Sequence, residues 1–218
     1  MMESLLIAID GPSGSGKSTT SRLLAAKLGL GYLDTGAMYR AATAGVLAED
    51  VDDDGVADYV RGADLRIVTS SDGNTLTING RDVTAEIREP RISAAVSRVA
   101  TNLEVREILT SRMRRIIDEH GRRIVVEGRD ITTVVAPDAD VRVLLIADPD
   151  ARVARREAEL AGKADREAVQ DQVLRRDRDD STVSNFTDAA EGVTVIDSTF
   201  LTPDEVVARI EGLFPRHG

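Results

Sequence analysis

Residues 5–19 decide the fold and read LLIAIDGPSGSGKST. The first six form a short, continuously apolar run, which is typical of a parallel strand that is buried on both faces. The next eight match the pattern of a glycine, four residues, then glycine, lysine and serine or threonine. A helix is predicted over residues 17–28, because its leucines fall at helical spacing and Gly29 supplies a stop. The pattern therefore lies between a strand and a helix, the context in which it binds phosphate.

The chemistry of this loop follows from its residue types. Its glycines let the backbone curl so that successive N–H groups point at a β-phosphate, which also lies at the positive end of the following helix. Lys17 would bridge the β- and γ-phosphates of a nucleotide, and the Ser18 hydroxyl would ligate Mg²⁺. The alternative is a glycine-rich turn that happens to precede a helix. The predicted nucleotide-binding residues are Gly11, Pro12, Ser13, Gly14, Ser15, Gly16, Lys17, Ser18 and Thr19.

Strand and helix patterns alternate along the rest of the chain. Strands are predicted at 31–34, 123–127, 141–146 and 193–196. Helices are predicted at 35–49, 51–61 and 203–213, with two helices within 90–120 and long arginine-rich helices over 150–180. Two β-branched segments separated by turn residues predict a small antiparallel insert over residues 63–90. Alternating strands and helices predict an α/β fold, with a five-stranded parallel sheet and helices on both faces.

Composition narrows the class of protein. The 218 residues include 38 acidic and 28 basic ones, a formal net charge of −10, which argues against a nucleic-acid binder. Cysteine is absent and there are two histidines, so thiolate catalysis and Cys- or His-rich metal sites are not expected. No apolar run approaches a bilayer span, so we expect a cytoplasmic protein that does not contact a membrane.

The basic residues are almost all arginine, 25 against 3 lysines. The planar guanidinium binds phosphate in a bidentate manner, so a protein that handles phosphate can use such a supply. Codon bias is the alternative explanation for the bulk of the excess. The positions of particular arginines must show which of them bind phosphate.

Two polar segments follow predicted strands and would face the phosphate loop. They are LDTGAMYR at residues 33–40 and VEGRD at residues 126–130. In open parallel sheets, ligands bind beyond the carboxyl ends of the strands. With AVSRVA at 95–100, VRE at 105–107 and RD at 176–177, these motifs make the chain similar to the nucleoside monophosphate kinases, and among them to the bacterial cytidylate kinases.

The resemblance covers essentially the whole chain and implies an ATP-dependent kinase that phosphorylates CMP or dCMP. It implies the P-loop fold of that family, a core at 1–34, 91–154 and 191–218, an acceptor-binding region at 35–90 and a helical lid at 155–190. It also implies Mg²⁺ as the cofactor, and ATP and CMP or dCMP as the partners. A compact kinase of this size is expected to work as a monomer.

The resemblance also assigns roles to residues of this sequence. The acceptor phosphate would be held by Thr35, Tyr39, Arg40 and Arg129. The cytosine would be read by Ser97, Arg106 and Asp130. The acceptor's sugar and phosphate would be reached by Arg176 and Asp180, and the ATP phosphates by Arg155 and Arg156. The catalytic set would be Lys17, Arg129, Arg155 and Arg156, with Glu127 near Mg²⁺ through water.

Base chemistry supports part of this assignment independently. Cytosine offers an amino donor at N4 and acceptors at N3 and O2, so a carboxylate and an arginine satisfy it, whereas the O4 of uracil would oppose the carboxylate. Plainer readings remain for each residue. Asp130 could be a helix cap or a partner of Arg129, Ser97 and Arg106 could lie on a solvated face, and Thr35 could be the N-cap of its helix.

One position departs from the resemblance, and two other functions stay open. The lid of the family usually has an arginine where this chain has Val183, often followed by Pro-Leu. If that difference weakens binding, Val183→Arg should lower the Michaelis constant for CMP; an unchanged constant would mean that another group, such as Arg178, compensates. The other functions are a small-metabolite kinase, acting for example on shikimate or gluconate, and a nucleotide switch without catalysis.

Overall fold

The computed structural model describes residues 4–160, 175 and 177–214. The strands are β1 (Leu5–Asp10), β2 (Gly31–Asp34), β3 (Leu65–Ser70), β4 (Gly73–Ile78), β5 (Arg81–Asp82), β6 (Arg123–Gly128), β7 (Val141–Ile146) and β8 (Thr194–Asp197). The helices are α1 (Lys17–Leu28), α2 (Thr35–Ala48), α3 (Val56–Gly62), α4 (Pro90–Ala100), α5 (Leu103–Glu119), α6 (Pro149–Leu160) and α7 (Pro203–Glu211). A 3₁₀ turn covers Glu86–Arg88, a π-helical turn covers Ile131–Val135, and residues 177–181 are also helical.

Five strands form a parallel sheet in the order β2-β6-β1-β7-β8. Side chains of β1 alternate between two buried layers, as the strand period requires. Leu6 and Ala8 pack with α2, α4 and α5, whereas Ile7 and Ile9 pack with α1 and α7. The predicted α/β sheet with helices on both faces is confirmed.

The predicted antiparallel insert is present as β3-β4-β5. Leu76 on β4 is buried in the same hydrophobic cluster as β1 and α2. The hairpin lies against β2, the edge strand of the parallel sheet, and Asn74 hydrogen bonds to the backbone of that strand. The Asn74 amide donates to the carbonyl of Tyr32 at 2.6 Å and accepts from the N–H of Asp34 at 2.8 Å. The Asn74 side chain thus makes two hydrogen bonds to the backbone of β2 that a neighbouring strand would otherwise make.

Some predicted elements differ from the observed ones. The helix expected over 51–61 begins only at Val56, because the Asp52 carboxylate accepts from the N–H of Gly55 and forms a turn there. The π-helical turn after β6 was not predicted. Much of the predicted lid at 155–190 lies outside the described residues, and the division into core, acceptor region and lid stays a prediction. In the part of the chain that the structure describes, no helix is long and apolar enough to cross a membrane.

Candidate active site

A cleft of about 790 Å³ opens at the carboxyl ends of β1, β2 and β6. This is the edge where ligands bind in open parallel sheets. Its lining joins the phosphate loop, the start of α2, the segment after β6 and the helical residues 177–181. The predicted site residues that line it are Ser13, Gly14, Gly16, Lys17, Ser18, Thr19, Thr35, Tyr39, Arg40, Arg106, Arg129, Asp130, Arg156 and Asp180.

The phosphate loop is packed too closely for side chains at two of its glycines. A Cβ at Gly11 would lie 2.1 Å from the carbonyl oxygen of Leu145, and one at Gly14 would lie 2.5 Å from that of Arg152. Gly14 also has a φ of +76°, a region that residues with a Cβ avoid. The Lys17 ammonium donates to the carbonyl of Pro12 at 2.8 Å, which holds the lysine across the mouth of the loop.

Oxygen ligands for a divalent cation lie beside the loop. The Glu127 carboxylate is 3% exposed and accepts from the Tyr32 hydroxyl at 2.8 Å, and it also hydrogen bonds with Ser18. Burial raises the pKa of Glu127 and the negative Asp34 adds to this, whereas Lys17 and the two hydroxyls oppose it. The described residues contain no cluster of three or more acidic, histidine or cysteine ligands. This donor set fits Mg²⁺, which takes one or two protein oxygens and completes its shell with phosphates and water.

The end of β2 presents a buried guanidinium. Asp34 is the N-cap of α2, since its carboxylate accepts from the N–H of Ala37 at 2.8 Å, and its other oxygen accepts from Arg40 at 2.9 Å. Thr35 is therefore not the N-cap; its hydroxyl donates to the carbonyl of Glu127 at 2.8 Å. The Nε of Arg40 is buried, and no described residue accepts its hydrogen bond. A buried donor without an acceptor is costly, so an anionic ligand is the expected partner.

An arginine–carboxylate pair forms the far end of the cleft. The guanidinium of Arg106 on α5 pairs with the carboxylate of Asp130 and donates to the carbonyl of Ala100 at 3.0 Å. The ring centre of Tyr39 lies 5.9 Å from the Arg106 guanidinium, and burial raises the pKa of Tyr39. Of the predicted base-reading residues, Ser97 does not line the cleft. Ser93, one turn earlier on α4, does line it and is buried.

One buried carboxylate connects the phosphate-loop strand to this pair. Asp10, the last residue of β1, accepts from the backbone N–H groups of Ile131 and Thr132 at 2.8 Å and from the Thr132 hydroxyl at 2.6 Å. Burial raises its pKa, although these hydrogen bonds act in the opposite direction. The three bonds hold the π-helical turn that directly follows Asp130. Asp10 therefore joins the segment that follows Asp130 to the strand that carries the phosphate loop.

Arg129 lies between two carboxylates of the helical residues 177–181. Its Nε donates to Asp180 and one of its terminal nitrogens pairs with Asp177, at 2.9 and 2.8 Å. The guanidinium also stacks on the buried ring of Phe186, 4.2 Å from the ring centre. Burial acts to raise the pKa of Asp177, but Arg129, the N–H of Ser13 and Arg152 outweigh it and hold that pKa below its usual range.

The two arginines of α6 that were predicted to reach the ATP phosphates lie in different places. Arg156 lines the cleft, but Arg155 does not; its guanidinium donates to the carbonyls of Ser198 and Thr199 at 2.6 and 3.3 Å. Arg152, which the sequence analysis did not single out, donates to the carbonyl of Ser13 at 3.1 Å. Its spacing of one helical turn from Arg155 and Arg156 was the available signal.

The remaining predicted residues are not among the described lining of the cleft, and some lining residues were not predicted. Arg176 lies outside the described residues. Gly11, Pro12 and Ser15 belong to the loop but do not line the cleft. Sequence reasoning also missed Asp34, Arg88 and Asp177 as members of the site, although the first and last stand inside quoted motifs. Arg88 carried no signal, because it lies outside every recognisable motif.

Comparison with known proteins gives consistent results. The family model described as "Cytidylate kinase" matches residues 7–216. A protein named "Cytidylate kinase" from Cutibacterium acnes (strain DSM 16379 / KPA171202) is 56% identical over 97% of this chain and 96% of its own length. Another of that name, from Rhodococcus opacus (strain B4), is 46% identical over 95% and 93%. A solved structure of an uncharacterized protein from Eubacterium ventriosum ATCC 27560 superposes with a TM-score of 0.53 over 96% of this chain and 97% of its own, at 12% identity, and so shows the fold alone.

Proposed function

Because the chain belongs to the cytidylate kinase family, we propose that it transfers the γ-phosphoryl group of ATP to CMP or dCMP, giving ADP and CDP or dCDP. One observation carries this proposal. A single cleft joins a phosphate loop that is suited to a nucleoside triphosphate with an arginine–carboxylate pair that is suited to cytosine. A nucleotide switch has no need of the second feature.

The Arg106–Asp130 pair accounts for the choice of base. The carboxylate of Asp130 accepts from the N4 amino group of cytosine, and the guanidinium of Arg106 donates to N3 and O2. Uracil would set its O4 acceptor against the carboxylate and leave both groups without a hydrogen bond. A buried polar site of this kind rejects the wrong analogue strongly.

The reaction needs positioning and charge neutralisation rather than a side-chain nucleophile. Lys17 leaves its contact with Pro12 to hold the β- and γ-phosphates, while the N–H groups of the loop cradle the β-phosphate. Arg40 and Arg129 hold the acceptor phosphate, and the buried Nε of Arg40 gains the acceptor that it lacks among the described residues. Arg156 approaches the ATP phosphates from α6.

Ser18 and Glu127 are the residues that would hold Mg²⁺, the serine directly and the glutamate through water. When bound, the ion neutralises charge on the phosphate oxygens. Tyr32 keeps the Glu127 carboxylate in place through its 2.8 Å hydrogen bond. We further propose a monomeric enzyme that works in the cytoplasm, and light scattering of the purified protein checks the first of these points.

An ADP-release assay with ATP and Mg²⁺ tests the activity across CMP, dCMP, UMP, AMP and shikimate. We expect rapid release with CMP or dCMP and at least a hundredfold lower kcat/KM with UMP. Release with shikimate alone would support a small-metabolite kinase. Nucleotide binding without release in the presence of any acceptor would support a switch. Either result overturns the proposal.

A further inference from the structure

One fully buried aromatic side chain, Phe186, lies outside the core of the sheet. It is 1% exposed, yet among the described residues it belongs to neither of the two buried layers that flank the parallel sheet. Its ring packs on the guanidinium of Arg129, which lies 4.2 Å from the ring centre and lines the cleft. The ring therefore contacts the candidate active site rather than the core of the protein.

The backbone on both sides of Phe186 is held by local hydrogen bonds. Before it, the N–H and the hydroxyl of Ser184 both donate to the carbonyl of Asp180, at 3.1 and 2.9 Å. After it, the side-chain oxygen of Asn185 accepts from the backbone N–H groups two and three residues further along the chain, at 3.3 and 3.2 Å. These bonds fix the ring relative to Asp180, whose carboxylate accepts from Arg129.

The donors of Arg129 are divided between the protein and the cleft. Its Nε donates to Asp180 at 2.9 Å. One terminal nitrogen pairs with Asp177 at 2.8 Å and donates to the carbonyl of Gly11 at 3.3 Å. The other terminal nitrogen donates to no residue that the structure describes. Two of the three nitrogens are thus held in place, and the third remains for a ligand.

An aromatic ring holds an arginine differently from a carboxylate. The ring attracts the cation through its face, so it fixes the plane of the guanidinium without taking an N–H donor. A carboxylate in the same place would accept the hydrogen bonds that the third nitrogen has left. Phe186 therefore stabilises Arg129 in one orientation and keeps this nitrogen available.

We propose that Phe186 is a positioning residue, which fixes the plane of Arg129 and directs its remaining terminal nitrogen toward the acceptor phosphate. This inference rests on the proposed function. The ring does not touch the substrate in this scheme and acts through Arg129 alone. A misplaced guanidinium stabilises the charge of the reacting phosphates less well, so loss of the ring should slow the reaction.

Phe186→Leu tests the proposal, with Phe214→Leu as the matched control. Phe214 is partly buried and packs against the layer that contains α1 and α7, so the control makes the same change away from the cleft. We expect Phe186→Leu to lower kcat/KM for CMP about tenfold, because a desolvated cation–π contact is lost. The KM for ATP should change less than about twofold. Phe214→Leu should lower stability toward urea but leave kcat/KM for CMP near the wild-type value.

A fluorinated series separates positioning from packing. Mono-, di- and trifluorinated phenylalanine at position 186 keep nearly the same shape, but each fluorine withdraws electron density from the ring face and weakens its attraction for a cation. We expect kcat/KM for CMP to fall at each step and to be about fivefold lower with the trifluorinated ring. The same series at position 214 should be flat. A flat series at position 186, or a Phe186→Leu enzyme that is as active as Phe214→Leu, would overturn the proposal.

A measurement of stability distinguishes failure of this inference from failure of the proposed function. If the wild-type chain releases no ADP with CMP, the proposed function is wrong. Phe186→Leu should still lower the free energy of unfolding in urea less in an Arg129→Gln background than in the wild-type background, because the stack is already lost there. A smaller loss in that background supports the positioning of Arg129 whichever acceptor is bound. Equal losses in both backgrounds would overturn it.

Discussion

Replacing Asp130 by asparagine should change which pyrimidine the enzyme accepts. The substitution keeps the shape of the side chain but removes the charge that pairs with Arg106 and exchanges one acceptor oxygen for a donor. Cytosine then loses a charged acceptor for its N4 amino group, whereas uracil gains a donor for O4. The preference for CMP over UMP should therefore fall, because CMP becomes a poorer substrate and UMP a better one.

The magnitude follows from the burial of the pair. Both side chains are 13% exposed, so a hydrogen bond to the carboxylate is worth about 1.5–3 kcal/mol. At about 1.4 kcal/mol for each factor of ten, kcat/KM for CMP should fall by roughly 10- to 150-fold. Relief of the O4 repulsion should raise the value for UMP, so the ratio of CMP to UMP should fall by at least about 100-fold.

The assay is ADP release with each acceptor at saturating ATP. Asp138→Asn is the matched control, because it makes the same chemical change at an exposed carboxylate that pairs with Arg122 at 3.1 Å, away from the cleft. The KM for ATP should stay near wild type in both variants. If Asp130→Asn lowers activity with CMP and UMP equally, the carboxylate positions the site but does not read the base, and the reasoning is wrong.

Three further predictions concern stability. Gly14→Ala should abolish nucleotide binding and lower the free energy of unfolding, measured by urea denaturation, by about 3 kcal/mol. Gly80→Ala is the control and should lower it by about 1 kcal/mol. The two glycines have nearly the same φ, +76° at Gly14 and +78° at Gly80, but only a Cβ at Gly14 would meet backbone atoms within 4 Å. Thr202→Ala removes the capping box of α7 and should lower that free energy by about 1 kcal/mol at unchanged kcat; a loss of activity would contradict a purely structural role. Ionised Asp177, whose pKa is lowered from 3.8, stabilises the fold above that value. The stability lost in Asp177→Asn should therefore shrink as the pH falls from about 5 to 3, and a difference that does not vary with pH would argue against the ion pairs.

The sheet was predictable because its signals are local. The bounds of β1, α1, β2 and β7 agree with the predicted ones, since each apolar run is bounded by glycine or turn residues. The phosphate loop was predictable for the same reason, as its pattern lies within eight residues. Helix α3 began later than predicted because a side-chain hydrogen bond, invisible in the apolar pattern, makes a turn before it.

Contacts between distant segments could not be predicted. Asp10 and Thr132 are 122 residues apart, and an aspartate at the end of a strand gives no sign of which loop it will hold. Arg155 and Arg156 are adjacent in α6 and carry the same charge, so the sequence does not distinguish them. In the folded chain Arg156 lines the cleft, whereas Arg155 donates to backbone carbonyls just after β8. Arg88 lines the cleft only because the insert and α4 together form one of its walls, which no local sequence pattern indicates.

The hydrogen bonds of Asn74 also bear on how the molecule avoids self-association. β2 is the outermost strand of the parallel sheet, and an open strand edge is a template on which another chain can add and aggregate. Asn74 occupies the carbonyl of Tyr32 and the N–H of Asp34 on that edge, so the insert shields it as well as lining the cleft. A shortened enzyme without residues 63–90 would expose this template, and its poor solubility would then have a cause separate from any loss of substrate binding.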